Sequence, residues 1–213
     1  MYIWYRLAKY QFSLIWFLFA LLAGAAAFFP ALILQNLLNI SISAGGRADL
    51  FYQFFIRIAF TEEVSRLLMM FIFFFLSGRI AKESAEQFPS WSIIRKGAAA
   101  GLVAGLGFAL LETAAYGTSN AGVLLLRAVT AAPLHAACGS RVGVSAIMFR
   151  SNPLQSFMRL LTAVAIHGIY NFMAALPGFS SLMAVLVAIS TLASSILTIR
   201  SGWNNESPPP INP

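Results

Sequence analysis

The chain has 213 residues, 59% of them hydrophobic and only 10% charged, with a mean hydropathy of +0.78. That balance excludes a soluble globular domain and places the chain among helical membrane proteins. A net charge of +7 is explained by basic loops beside anionic lipid, so no nucleic-acid partner is expected. The single cysteine, Cys138, rules out an internal disulfide and a multi-cysteine metal cage.

No linker, repeat or second compositional regime interrupts the chain, which reads as one transmembrane domain over residues 1–203 followed by a disordered Pro-rich tail at 204–213. Apolar runs predict about six membrane helices, each with the roughly 20 residues that about 30 Å of hydrocarbon requires. The first runs from about Gln11 to Leu34. It lacks a small-residue cleavage site and is expected to be a retained span rather than a signal peptide. A polar stretch from Gln35 to Asp49 reads as a loop or surface helix, and the second span covers about Phe51 to Ser77. After a polar connection, Gly78 to Ser92, the third span runs from about Arg95 to Gly117 and the fourth from Ala121 to Phe149. Pro153 opens the fifth, which stops at Pro177-Gly178, and the sixth covers Phe179 to Ile199.

Charge sets the orientation. Arg6, Lys9, Arg79, Lys82, Arg95, Lys96, Arg150, Arg159 and Arg200 fall on one side, whereas the other side has Arg47 offset by Asp49. By the positive-inside rule this predicts an all-α polytopic bundle with both termini cytoplasmic.

The second span is organised around Thr61-Glu62-Glu63-Val64-Ser65-Arg66. A charge at the centre of a membrane helix costs roughly 2.5–3.5 kcal/mol on insertion scales. Arg66 lies within one turn of both carboxylates but can neutralise only one, so the remaining charge calls for a proton, a metal ion or a cation from another helix. By depth along each helix, Glu62 and Glu63, Glu112 on the third span, His135 on the fourth and His167 on the fifth share a layer in the outer half of the bilayer. The two histidines are the only ones in the chain. Two His and one Glu form a common ligand set for catalytic zinc, and a further carboxylate can take a proton from water attacking a peptide carbonyl. Asn171, one turn after His167, is placed to steady that carbonyl or to orient the ring; Tyr116 has the same spacing from Glu112. Arg127 and Arg141 flank His135 and face the site, the headgroups or a carboxylate. Taken singly, each residue has a plainer reading: an interhelical hydrogen bond for either His, a structural ion pair for Glu62-Glu63-Arg66, a proton path for Glu112, packing for Cys138, and lipid contact for Phe71 to Phe75.

At these positions the chain resembles the PrsW family of intramembrane proteases, within the wider superfamily that includes the CAAX prenyl proteases. Glu62-Glu63-Val64-Ser65-Arg66 is similar to the first family motif, whose basic residue is usually lysine. Phe108-Ala109-Leu110-Leu111-Glu112, continuing to Tyr116, is similar to the second; CAAX proteases typically carry His where Glu112 stands. Arg127 through Pro133-Leu134-His135 resembles the third, and His167-Gly168-Ile169-Tyr170-Asn171 the fourth. The resemblance spans about residues 60 to 172 and implies a multi-pass protease of a bacterial inner membrane, cutting a membrane-anchored protein or peptide.

The combined expectation is an intramembrane metalloprotease. Glu112, His135 and His167 hold a divalent metal, zinc by ligand type, Glu62 or Glu63 is the general base, Arg66 sets the charge state of the pair, and Asn171 steadies the carbonyl oxygen. A variant mechanism in this superfamily uses glutamate-activated water without zinc, the histidines and Asn171 forming an oxyanion hole. The rival classes are a proton- or ion-coupled transporter, against which the chain lacks an internal repeat, and a catalytically silent scaffold of the same fold.

Overall fold

The computed structural model describes residues 14–40, 46–77, 91–117, 119–176 and 178–201. Among them every regular element is helical: α1 (Leu14–Ala26), α2 (Phe28–Leu37), α3 (Gly46–Phe51), a π-helix (Tyr52–Phe60), α4 (Thr61–Leu76), α5 (Trp91–Ala115), α6 (Ala121–Val129), α7 (Ala131–Met148), α8 (Pro153–Ala175) and α9 (Phe179–Ser201). The basic N-terminal residues Arg6 and Lys9, most of the 78–92 connection and the Pro-rich tail lie outside the described residues, as does the 41–45 stretch of the expected surface loop.

Among the described residues, five helical stretches are long and apolar enough to span a membrane: Leu14–Leu37, Ile93–Ala115, Ala121–Met148, Pro153–Ala175 and Leu182–Arg200. The chain is thus a helical membrane bundle. The expected second span lies outside that set, because Arg57, Glu62, Glu63 and Arg66 lower its hydropathy and its helix changes type along its length. Two expected spans are segmented. Pro133 has no N–H for the carbonyl one turn back and its ring crowds that carbonyl, so the fourth span breaks at Thr130, which leaves helical geometry with φ −124° and ψ −63°. The second span contains the π-helix, whose wider turn shifts the register just before Glu62; Thr61 Oγ1 donates to the carbonyls of Arg57 (2.6 Å) and Ile58 (3.0 Å) at the junction. Turns of this kind are enriched at functional sites.

Helix α7 is the centre of the bundle. Nearly all its residues are buried, and it packs on α5, α8, α9 and α4. Small residues allow this: a stripe of Gly97, Gly101 and Gly105 on α5 meets Gly139 and Gly143 on α7, in the close small-on-small packing of membrane helices. At Gly105 the approach is so tight that a Cβ would lie 2.0 Å from the carbonyl oxygen of His135. On the other face, Ser145 and Ser156 clasp α7 to α8, each hydroxyl 2.8 Å from the other residue's carbonyl oxygen. Cys138 is buried, its thiol donating to the Ala163 carbonyl. Helix α8 starts as a capped helix should, with the Asn152 side chain accepting from Gln155 N–H and Pro153 at the first position.

The expectation that Phe71 to Phe75 face lipid needs correction. Phe75 is exposed, but Phe73 and Phe74 are buried in the core, Phe73 edge-on to Trp16 of α1. The reason is helical period: five consecutive residues cover more than one turn, so some must point inward wherever α4 has neighbours on both sides.

Candidate metal centre

Glu62, Glu63 and Arg66 lie in the first two turns of α4, and all three are buried. Arg66 ion-pairs with Glu63 and stands 3.9 Å from Glu62 Oε2. It also donates to the His135 carbonyl at 3.1 Å, and its guanidinium lies 4.8 Å above the Phe108 ring. One arginine therefore ties α4 to α5 and α7. His167, on α8, has Glu63 Oε1 2.7 Å from Nδ1 and Glu62 Oε2 3.7 Å from Nε2. Gly168, beside it, lets the Phe55 ring of the π-helix come so close that a Cβ there would lie 2.3 Å from it.

His135 faces the opposite side of the cluster. Its Nε2 is 2.9 Å from Glu112 Oε2 on α5, and its ring stands perpendicular to that of His167 at a centroid distance of 5.0 Å. Glu112 also pairs with Arg127 of α6 at 2.7 Å. Arg127 is held by its Nε donating to Thr113 Oγ1 (3.1 Å) and by stacking over the Tyr116 ring at 4.2 Å. Of the roles open to Arg127 from sequence, the structure shows carboxylate pairing; Arg141 instead donates to Ser195 Oγ at 2.9 Å.

The sequence layer of Glu62, Glu63, Glu112, His135 and His167 is thus a physical cluster, but its inner grouping differs from the expected one. Glu62, His135 and His167 each present one ligand atom, all within 4.8 Å of one another, and all three are buried. Glu112 reaches this group through His135. The hydrogen bonds say which ring atoms are free. Glu63 occupies Nδ1 of His167 and Glu112 occupies Nε2 of His135, which leaves His167 Nε2 and His135 Nδ1 as lone-pair atoms if each ring donates its proton to the carboxylate. His135 Nδ1 and Glu62 Oε2 are both buried without a hydrogen bond. Two orphaned acceptors beside a third are costly in a dry interior, and a divalent cation is the group that would satisfy all three. Each histidine would then have the carboxylate–histidine arrangement that orients metal-ligating rings. The charges agree: three carboxylates face two guanidinium groups, so one negative charge is left over in this layer.

Two cavities reach the cluster. One, of about 200 Å³, is lined by Phe28, Leu32, Gln35, Glu62, Phe108 and Glu112 among others. The other, of about 290 Å³, is lined by Glu112, Arg127, His135, Tyr170 and Asn171 among others. Glu112 and Tyr116 border both. Asn171 sits in the second cavity beside His135, and its side chain makes no hydrogen bond among the described residues. Sequence reasoning missed Gln35, which it read as the start of a loop: α2 continues through Leu37, and Gln35 Nε2 donates to Glu62 Oε1 at 3.1 Å. Its signal was a pair of amides, Gln35-Asn36, with apolar residues on both sides.

A bundle of membrane helices thus encloses a buried cluster of carboxylates and histidines that borders two cavities. A family model described as PrsW family intramembrane metalloprotease matches residues 13–195; the chain belongs to this family and is an intramembrane peptidase. No curated protein and no solved structure matches it.

Proposed function

We propose that this protein hydrolyses a peptide bond of a membrane-associated protein or peptide at the Glu62–His135–His167 centre, with zinc as the divalent metal. The observation carrying this reading is the convergence of one ligand atom each from Glu62, His135 and His167 within 4.8 Å, in a cluster where Glu62 Oε2 and His135 Nδ1 are buried without a hydrogen bond. Bound there, zinc would supply Lewis-acid activation. The ligand set Glu62, His135 and His167 replaces the expected Glu112, His135 and His167, and the base role moves with it. Glu112 keeps 22% of its side chain exposed, against 5% for Glu62 and 0% for Glu63. It is the carboxylate, besides Glu62, that borders the cavities where water and substrate enter, and it suits the task of taking the water's proton. Glu63 and Arg66 form the rigid support behind His167. Asn171 is placed to donate its amide to the substrate carbonyl oxygen. The family resemblance supports a bacterial inner membrane as the address, and loop charge together with helix depth supports a site in its outer half.

The test is the zinc content of protein purified in detergent, paired with hydrolysis of a quenched-fluorescent transmembrane peptide in proteoliposomes. Wild type should hold about one zinc per chain, and Glu62→Gln and His135→Ala should lose both metal and activity. Glu112→Gln should bind zinc more weakly yet still reach about one zinc per chain when zinc is in excess, and should lose activity. Loss of zinc in Glu112→Gln with retention in Glu62→Gln would restore the ligand set expected from sequence.

A further inference from the structure

Helices α7, α8 and α9 contain no Asp or Glu; the chain has none between Glu112 and Glu206. Yet two arginines enter the apolar part of these helices from the end marked by the 149–152 turn. Arg141 lies two turns before that end of α7 and Arg159 two turns after it on α8, each about 10 Å along its helix axis. The Ser145–Ser156 clasp sets the antiparallel register, and the Cys138 contact with Ala163 continues it. One turn from the clasp, this register brings Arg141 level with Leu160, the residue after Arg159, so the two arginines occupy the same level of the α7–α8 seam. Arg141 is anchored by the Ala137 carbonyl (3.0 Å) and Ser195 Oγ of α9 (2.9 Å), both neutral. Arg159 has its Nε buried with no hydrogen-bond partner.

Among the described residues, neither of these like charges in an apolar layer has a carboxylate partner. Arginine suits phosphate, offering several N–H donors in a planar fork, and basic pockets between membrane helices on the cytoplasmic side are known to take anionic headgroups. The α8 face beside Arg159, with Leu154, Phe157, Met158 and Leu161 exposed, supplies apolar surface for acyl chains. We propose that Arg141 and Arg159, at the α7–α8–α9 junction, bind the phosphate of an anionic phospholipid. The site lies on the opposite side of the Cys138 layer from the metal centre and is independent of the peptidase reading.

The experiment is thermal unfolding of the full chain in neutral detergent with added phosphatidylglycerol, phosphatidylcholine or inorganic phosphate. Phosphatidylglycerol should raise the melting temperature of wild type by about 5 °C at saturation, and phosphatidylcholine should not. Arg159→Gln, which breaks no hydrogen bond of Arg159 Nε, should fold with the same lipid-free melting temperature and lose most of the response. Arg159→Lys should retain part of it. An unchanged response in Arg159→Gln would overturn the site, and an equal shift with inorganic phosphate would reassign it from lipid to free phosphate.

Discussion

Glu62 Oε2 faces His167 Nε2 at 3.7 Å, while the other nitrogen of that ring is held by Glu63 at 2.7 Å. The adjacent glutamates of α4 therefore grip one imidazole from two sides. Successive helix positions are separated by about 100°, so the two carboxylates reach the two nitrogens of the ring from different directions. On the proposed reading, the pair is divided into a residue that shares the ligand group and a residue that orients it.

This division predicts unequal metal affinities. Glu63→Gln and Glu112→Gln each remove a carboxylate that orients a ring, and each should weaken zinc binding by about 10- to 100-fold. Glu62→Gln should abolish stoichiometric binding. Competitive chelator titration of the purified variants measures all three.

Arg66 predicts a stability effect larger than a surface ion pair. It is buried with Glu63 and also donates to the His135 carbonyl. Arg66→Leu leaves a buried carboxylate uncompensated and should cost about 3–5 kcal/mol, read as loss of folded protein in detergent. Adding Glu63→Gln should recover much of that loss, because the stranded charge is gone. A double variant no more stable than Arg66→Leu would assign the cost to the His135 carbonyl contact instead.

Gly105→Ala tests how the helix seam places the site. Its Cβ would meet backbone, the His135 carbonyl oxygen at 2.0 Å, so α5 and α7 must separate. Both melting temperature and peptidase activity should fall. Gly168→Ala meets a side chain, Phe55 at 2.3 Å, and should be partly rescued by Phe55→Ala, which gives the new methyl room.

Arg127 predicts a kinetic phenotype. Its pair with Glu112 is partly open, with side chains 15% and 22% exposed, so its loss should cost little stability. Arg127→Ala should leave zinc content near wild type yet lower kcat, because Glu112 loses the partner that fixes its carboxylate. Arg127→Lys should recover part of the rate, limited by the loss of the Thr113 bond and the stacking on Tyr116.

Much of this was readable from residue type and spacing. Intramembrane Glu and His are costly enough that their equal depths on four helices pointed to one layer, and the structure assembles that layer. What misled was the assumption of uninterrupted helices. The break forced by Pro133 at Thr130 and the π-helix before Thr61 both alter side-chain direction within a turn of the site. Depth arguments locate a residue along an axis but do not give its azimuth, and azimuth decides whether Glu62 or Glu112 joins the histidine pair. Gln35 was missed for a related reason: composition placed the end of the first span early, while packing of α2 on α4 carried the helix past it.

The sequence by itself determined the membrane class, the positions of most helices and the identity of the buried polar residues, because apolar run length and the cost of burying charge are local properties. Only the tertiary structure decided which carboxylate faces which ring nitrogen. That choice depends on helix rotation and close approach, set by Gly105 against His135 and by Gly168 against Phe55, contacts between residues far apart in the chain.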